Sequence, residues 1–364
     1  MTIKSVTPII LDLPFDVGTT QSSFAGRPRQ MAMLLIRVET ESGLVGWGEA
    51  FGYAVWPATQ MAIEKIIAPM VVGQDETNIK SLMDDLQRQL HLLGRTGPVV
   101  YALSGLDIAL WDIAGKKANQ PLATLLGGAK HTDFSVYASL VRYNDGPLIA
   151  RQAKAALDQG FSAIKLHEID VAHVATARNA IGDHVPLMMD TNCPWSTEEA
   201  ISKAQSLQKY NLHWLEEPIY PPEDFLALAR VRKEGRVKIA AGENAMSPTD
   251  FRALFDANAV DFAQPSVTKV GGVSEMKRII DLAGDRKVKL IPHSPYFGPG
   301  LLATMHLCAT IEPDTLIEYS YVKLGANPVG EAVRLKNGRL QLPLGAGLGF
   351  DPDPDIVSRY QLKS

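Results

Sequence analysis

Between Lys165 and Glu318, side chains that carry charge or handle protons recur at nearly even intervals. They are Lys165 with His167, then Asp190, Glu216, Glu243, Ser266, His293 and Glu318. The steps from Lys165 onward are 25, 26, 27, 23, 27 and 25 residues. That interval is about one strand, one loop and one helix, the unit that alternating βα folds repeat. Each position closes a short apolar run, and from Phe134 onward the runs FSVYASL, SAIKLH, VPLMMD, LHWLEE, VKIAAGE, AVDFAQP, VKLIPH and DTLIEYS number eight. Eight is the strand count of a closed parallel barrel, in which every strand end emerges at the one face that carries chemistry. A single interval pattern therefore constrains both the fold and the location of a site.

The chain before this rhythm reads differently. Residues 3–13, 31–39 and 44–49 have the pattern of antiparallel strands, with a turn at Glu41-Ser42-Gly43. Three helical patterns follow near 58–70, 77–92 and 98–117. Strands followed by helices make an α+β module, which we place at residues 1–128 with LLGGAK as its end. The fold class is then α/β, a (β/α) barrel at 129–325 behind that module, and a Gly- and Pro-rich segment at 326–364 that returns toward the module. The polar loop DVGTTQSSFAGRPRQ between the first two strands is long enough to suggest a functional lid.

Composition narrows the partners. A net charge of −4 and a pI near 6.1 give no basic footprint, so neither nucleic acid nor an anionic membrane is expected as a partner. Two cysteines, Cys193 and Cys308, are too few for a disulfide framework and fit a reduced, cytoplasmic setting. The N-terminus has acidic residues where a signal peptide needs an unbroken apolar core, and no later stretch is expected to reach membrane-spanning length without charge.

Asp190, Glu216 and Glu243 close three successive strands, each after residues that a sheet would bury. A buried carboxylate is costly unless paired or metal-bound. Singly, each reads as an ion pair or a helix cap; three in step on adjacent strands point to a shared cation. Oxygen ligands without cysteine or histidine suit Mg2+, and in second place Mn2+. Such a cation can offset the second negative charge that appears when a carboxylate substrate loses its α-proton. Glu217 falls on the other side of its strand and is structural; Asn192 shares the side of Asp190 as a substrate or supporting contact. Lys165 and His167, two residues apart, face the same way and are candidate bases, with His293 as an acid-base group across the barrel and Glu318 as a partner for a substrate oxygen. Asp107 and Asp112 read as packing or pairing residues, and Trp195, Tyr296 and Phe297 as aromatic residues that line or cover the pocket.

GLVGWGEA at 43–50, ALSGLDIALWDIAGK at 102–116, the Lys165-X-His167 pair, WLEEP, AAGE, KVGG at 269–272 and IPHS at 291–294 together resemble the enolase superfamily, in its mandelate racemase / muconate lactonizing enzyme-like subgroup. The resemblance implies a capping domain whose loops, around Phe24 and Tyr53, close over a small carboxylate substrate. It also implies Mg2+ on Asp190, Glu216 and Glu243, abstraction of the α-proton, and a homo-oligomer. The chain departs from the family pattern twice. Its Lys-X-Lys becomes Lys165-X-His167, and Ser266 stands where members with a His-Asp dyad carry the aspartate. A serine can fix the His293 tautomer but adds no negative charge, which suits an acid better than a strong base. Lys269 is expected to face the loop, as a substrate-binding or supporting residue. The leading expectation is dehydration of an aldonate or aldarate. His167 or Lys165 takes the α-proton, Mg2+ and Glu318 steady the enolate, and His293 protonates the departing hydroxyl. A racemase, epimerase or cycloisomerase, and a non-catalytic ligand-binding member of the family, are the alternatives.

Overall fold

The computed structural model describes residues 2–18, 23–24, 27–313 and 315–362, with the backbone alone at 23–24 and 27–29. Two long antiparallel strands, β1 (Ile3–Asp16) and β3 (Arg27–Thr40), form the spine of the first sheet, with the two-residue β2 (Ser23–Phe24) and β4 (Val45–Ala50) both paired to β3. Helices α1 (Trp56–Ala62) and α2 (Ala68–Val71) run into one another through a wider π-type turn over Ile63–Ile67. Then come α3 (Ile79–Gln89), α4 (Pro98–Ala118) and α5 (Leu122–Leu125).

Helix α4 starts at Pro98, where a missing N–H costs nothing, and stops at Asn119 in the left-handed conformation. It is apolar on nearly every side because it is covered on nearly every side, packing on β4 in one direction and on the barrel in the other. By length and composition α4 is apolar enough to cross a membrane, but it carries Asp107 and Asp112, in keeping with the expectation that no stretch would reach that length without charge, and 83% of its apolar window is buried within the protein. It is a core helix.

The second sheet has eight parallel strands: β5 (Asp133–Ser139), β6 (Ala163–Leu166), β7 (Leu187–Asp190), β8 (Trp214–Glu216), β9 (Ile239–Ala241), β10 (Phe262–Ala263), β11 (Lys289–Leu290) and β12 (Ile317–Ser320). β12 pairs back onto β5 in parallel, which curls the sheet into a barrel. Helices α6 (Gly146–Asp158), α7 (Val171–Ile181), α8 (Thr197–Leu207), α9 (Phe225–Gly235), α10 (Pro248–Asp256), α11 (Gly272–Arg286) and α12 (Pro299–Cys308) follow the first seven strands, as the sequence rhythm predicts. An Asp or Ser caps the start of α6 to α10; at α8 Ser196 and Glu199 form a reciprocal capping box. After β12 the chain makes β13 (Lys323–Leu324) on β1, β14 (Arg339–Gln341) on β5, and α13 (Pro354–Tyr360), whose end donates from Leu362 N–H to Ile10 C=O.

The barrel interior explains the site. Tyr137, Ala163, Met188, Trp214, Ala240, Phe262 and Ile291 form one apolar floor, six from different strands and Ile291 from the residue just after β11. Side chains two residues further on point the same way. Adding two to these positions reaches Ser139, Lys165, Asp190, Glu216, Gly242, Gln264 and His293. The apolar floor thus carries a polar layer directly above it. The Cα pairing of Ser139 with Lys165 and of Asp190 with Glu216 keeps that layer in register.

Candidate active site

Lys165 is the centre of the polar layer. Its ammonium lies 2.7 Å from Glu216 Oε1, 2.9 Å from Glu318 Oε1 and 3.2 Å from Asp190 Oδ2, wholly removed from solvent. Burial works against the charge, yet Glu216, Glu318 and Asp190 outweigh it and hold the lysine well above its ordinary value. Glu318 also accepts from Ser139 Oγ and Ser294 N–H. Burial works against its charge too, but Lys165, His293 and the Ser139 hydroxyl bring it to about 2. An ionised carboxylate only accepts hydrogen bonds, so Glu318 suits a substrate hydroxyl better than the enolate oxygen expected of it. Three carboxylates around one ammonium leave surplus negative charge, and Glu216, buried and facing Asp190 and Glu318, is pushed well above the carboxylate range.

His167 leaves the barrel one turn of the pleat above Lys165. Its Nδ1 bonds the Leu140 carbonyl, an acceptor, so Nδ1 carries a proton. Nε2 lies 3.1 Å from Asp190 Oδ2. Burial lowers the imidazole and Asp190 raises it, with a net rise. Asn192, held in the left-handed region at φ 55, bonds Asp190 Oδ1 through both its backbone and its side-chain nitrogen at 3.0 Å.

Glu243 reaches the site by a different route. The in-phase position on its strand is Gly242, whose φ of +135 is open to glycine and whose Cβ would lie 2.8 Å from the Phe251 ring. This backbone turn re-aims the next side chain, and Glu243 Oε2 meets His293 Nε2 at 2.8 Å. His293 Nδ1 lies 3.3 Å from Ser266 Oγ. As the side chains stand, Lys165 sits between Asp190 and Glu216 while Glu243 faces His293, and among the described residues no three such groups close on one point. The donor set nevertheless fits a hard divalent cation: carboxylate oxygens on three neighbouring strand ends, with negative charge that one lysine does not balance.

A cavity of about 480 Å3 opens over this layer, lined on the barrel side by His167, Asn192, Glu243, Lys269, His293 and Glu318. The capping side contributes Phe15, Met31, Phe51 and Tyr53. Lys165 does not line it. Lys269 does, contrary to the expectation that it faces the loop: it is 5% exposed and its ammonium stands 4.9 Å from the centre of the Phe51 ring. A capping-domain aromatic draws it inward. Of the expected pocket aromatics, Trp195 and Phe297 are packed in apolar clusters and Tyr296 stands behind His293. Phe24 belongs to β2, but its side chain lies outside the described residues.

Among the lining groups that escaped the sequence reading, Ser139 and Arg142 bear directly on the polar layer. Ser139 closes the first barrel strand, 26 residues before Lys165, so extending the interval one step back would have found it. Arg142, three residues later, donates to the His167 and Thr191 carbonyls and to Asn192 Oδ1. No interval points to Arg142, because it acts from a loop.

Comparison with known proteins adds an independent line. Residues 14–127 match the family "Mandelate racemase / muconate lactonizing enzyme, N-terminal domain", and residues 148–356 match "Enolase C-terminal domain-like". The chain is 32% identical over 346 residues to an arabinonate dehydratase of Saccharolobus solfataricus, covering 92% of each. It is similar to the crystal structure of a 3,6-anhydro-D-galactonate cycloisomerase from Zobellia galactanivorans, with TM-score 0.87, 30% identity and 100% of both chains covered. A racemase from Streptomyces coelicolor A3(2), solved with bound magnesium, gives TM-score 0.86 at 26% identity, over 99% of this chain and 100% of that one.

Proposed function

The chain belongs to the enolase superfamily, in its mandelate racemase / muconate lactonizing enzyme-like subgroup, and from that premise we propose that it is a lyase that dehydrates a sugar acid. It removes the proton α to the carboxylate and expels the β-hydroxyl. The observation that carries this reading is the pair His167 and His293, two acid-base groups from strands separated around the barrel that line one cavity with carboxylates between them. Asp190, Glu216 and Glu243 are the residues that would hold Mg2+, or in second place Mn2+. Bound there, the cation would supply positive charge against the dianion that forms when the α-proton leaves.

The chain's own groups divide the remaining work. His167 is the base: it faces the cavity, and with Nδ1 committed to Leu140 its reactive position is Nε2, which must first give up the proton it shares with Asp190. Lys165, enclosed and held positive, balances charge instead of taking a proton. His293 donates the proton that lets the hydroxyl leave as water, and Glu318, Asn192 and Lys269 orient the polyhydroxy chain. Cycloisomerisation is the second reading, supported by the likeness to the Zobellia enzyme over the whole chain. It shares the first step and differs in what happens after the α-proton has gone.

Incubation of aldonates and aldarates with Mg2+ in D2O separates these readings. The expected product is a 2-keto-3-deoxy acid. His167→Gln should lose both product and α-deuterium exchange by at least about a hundredfold. His293→Gln should lose product yet still exchange. Undiminished exchange in His167→Gln would refute its role as base, and turnover of anhydro sugar acids or sugar-acid lactones, with opening of the ring, in place of the open-chain acids would favour the cycloisomerase.

A further inference from the structure

Lys269 is a buried cation with no anion bonded to it among the described residues. It is 5% exposed and lines the cavity, and its ammonium makes neither a hydrogen bond nor an ion pair there. Its partner is the face of Phe51, 4.9 Å away. Phe51 is braced in turn, stacked on Tyr53 with ring centroids 5.2 Å apart and tilted against Tyr101 at 5.0 Å. Glu243 lies near enough to feel the charge but bonds His293 instead. An aromatic face offsets only part of what it costs to take an ammonium out of water, and it leaves all three N–H donors over.

The other basic groups of the site are committed. Arg142 directs its Nε and Nη2 donors to the carbonyls of His167 and Thr191 and to Asn192 Oδ1. Lys165 is enclosed by its three carboxylates.

The place of Lys269 says which part of a substrate it meets. Lys165, Asp190 and Glu216 stand on β6, β7 and β8, whereas Lys269 follows β10. In the eight-strand order β10 and β6 are four places apart, on opposite sides of the barrel. Lys269 also lies beyond Ala263, the end of β10, where the capping side comes down on it. A substrate whose reacting carboxylate lies over β6 to β8 therefore brings its far end under Phe51. A hydroxyl at that end would take up one donor and leave the charge unbalanced, whereas a carboxylate supplies both acceptors and charge. A phosphate, with three oxygens to satisfy, would find one ammonium and aromatic faces.

We propose that Lys269 is the specificity-determining residue of this site: it binds a second carboxylate at the far end of the substrate, so that the acid sugar taken is an aldarate in preference to an aldonate. The turnover of that aldarate rests on the dehydration reading above, whereas the second anion site does not.

The test reads preference as well as rate. Wild type is compared with Lys269→Met, which keeps an apolar stem against Phe51, on six-carbon aldarates and on aldonates of matched configuration, with Mg2+. Wild type should favour the aldarate in kcat/KM. Lys269→Met should reduce that preference at least about tenfold, through KM more than kcat, and Lys269→Arg should retain most of it. Lys269→Gln repeats the comparison should the methionine variant not fold. A second arm uses calorimetry with unreactive acids, adipate against hexanoate, with and without Mg2+. Adipate should bind Lys269→Met at least about tenfold more weakly than wild type, and hexanoate should weaken less than about threefold. Equal losses for diacid and monoacid would put Lys269 on the reacting carboxylate and overturn the proposal. So would a wild type that prefers aldonates or phosphorylated aldonates, or a preference for aldarates that survives Lys269→Met. If wild type turns over no acid sugar, the dehydration reading fails, and the calorimetric arm still decides the role of Lys269.

Discussion

At the scale of the residue, Lys165 shows how far a charge can be taken from water when its partners are supplied by the same sheet. Its ammonium has no exposed surface and three carboxylates within 3.2 Å. Removing one member of a buried ionic cluster strands the others, a larger effect than losing an exposed pair. Lys165→Met should therefore destabilise the fold by about 3 kcal/mol or more at pH 7. Urea unfolding checks this, and the loss should shrink toward pH 5 as the stranded carboxylates take up protons. A loss below about 1 kcal/mol at pH 7, the range of an exposed pair, would mean that the cluster is solvated in practice. Gly242 is the other decisive single residue, since its backbone sets whether Glu243 points into the mouth or the wall.

At the scale of the element, α4 joins the two halves of the molecule, and its neighbours show how. Gly48 on β4 lies against it so closely that an added Cβ would be 1.9 Å from the Gly105 carbonyl oxygen. Backbone cannot yield as a side-chain tip can, so Gly48→Ala should cost about 3 kcal/mol or more, or abolish folding, as read by the denaturation midpoint. Three acids of the capping side dock on the remainder of the chain. Glu49 accepts from Gly300 N–H at the start of α12, Asp107 from Ser274 N–H and Oγ–H at the start of α11, and Asp112 from Leu348 N–H. Helix N-termini welcome such groups, but burial dominates and raises Asp107 to about 7. A carboxyl raised in the folded state binds its proton there while the unfolded chain has lost it. This group's contribution to stability is therefore full below about pH 4 and is lost as pH rises toward 7. Asp107→Asn has no proton to lose. The stability of the variant relative to wild type should rise by on the order of 1 kcal/mol per pH unit across that window and level off above it. Unfolding at a series of pH values measures the slope, and a flat difference would mean that Asp107 is ionised throughout.

At the scale of the whole molecule, a cation held by three strand ends should act as a staple, since it binds the folded barrel and not the unfolded chain. Saturating Mg2+, about a hundred times its dissociation constant, should stabilise the protein by about 2.7 kcal/mol, and Asp190→Ala should abolish the effect. A melting temperature that does not respond to Mg2+ in wild type would count against the proposed ligand set. The barrel itself was legible in the sequence, because strands buried on both faces need apolar runs and each βα unit has a nearly fixed length. So was most of the rim: Lys165, Asp190, Glu216, His293 and Glu318 each stand in or just after a barrel strand, at the position that the interval marks. The interval could not tell which of them face the cavity. Lys165 and His167 look equivalent in sequence, yet one is enclosed by carboxylates and the other opens to substrate space. Lys269 and Arg142 depend on contacts between segments far apart in the chain, with Phe51 of the capping side drawing Lys269 inward. Sequence determined the periodicity, the chemistry of the strand ends and the family, all of which are local or repeated properties. Tertiary structure alone decided burial and partner choice, and these set which groups stay charged, where their protons sit and which of them a substrate can touch.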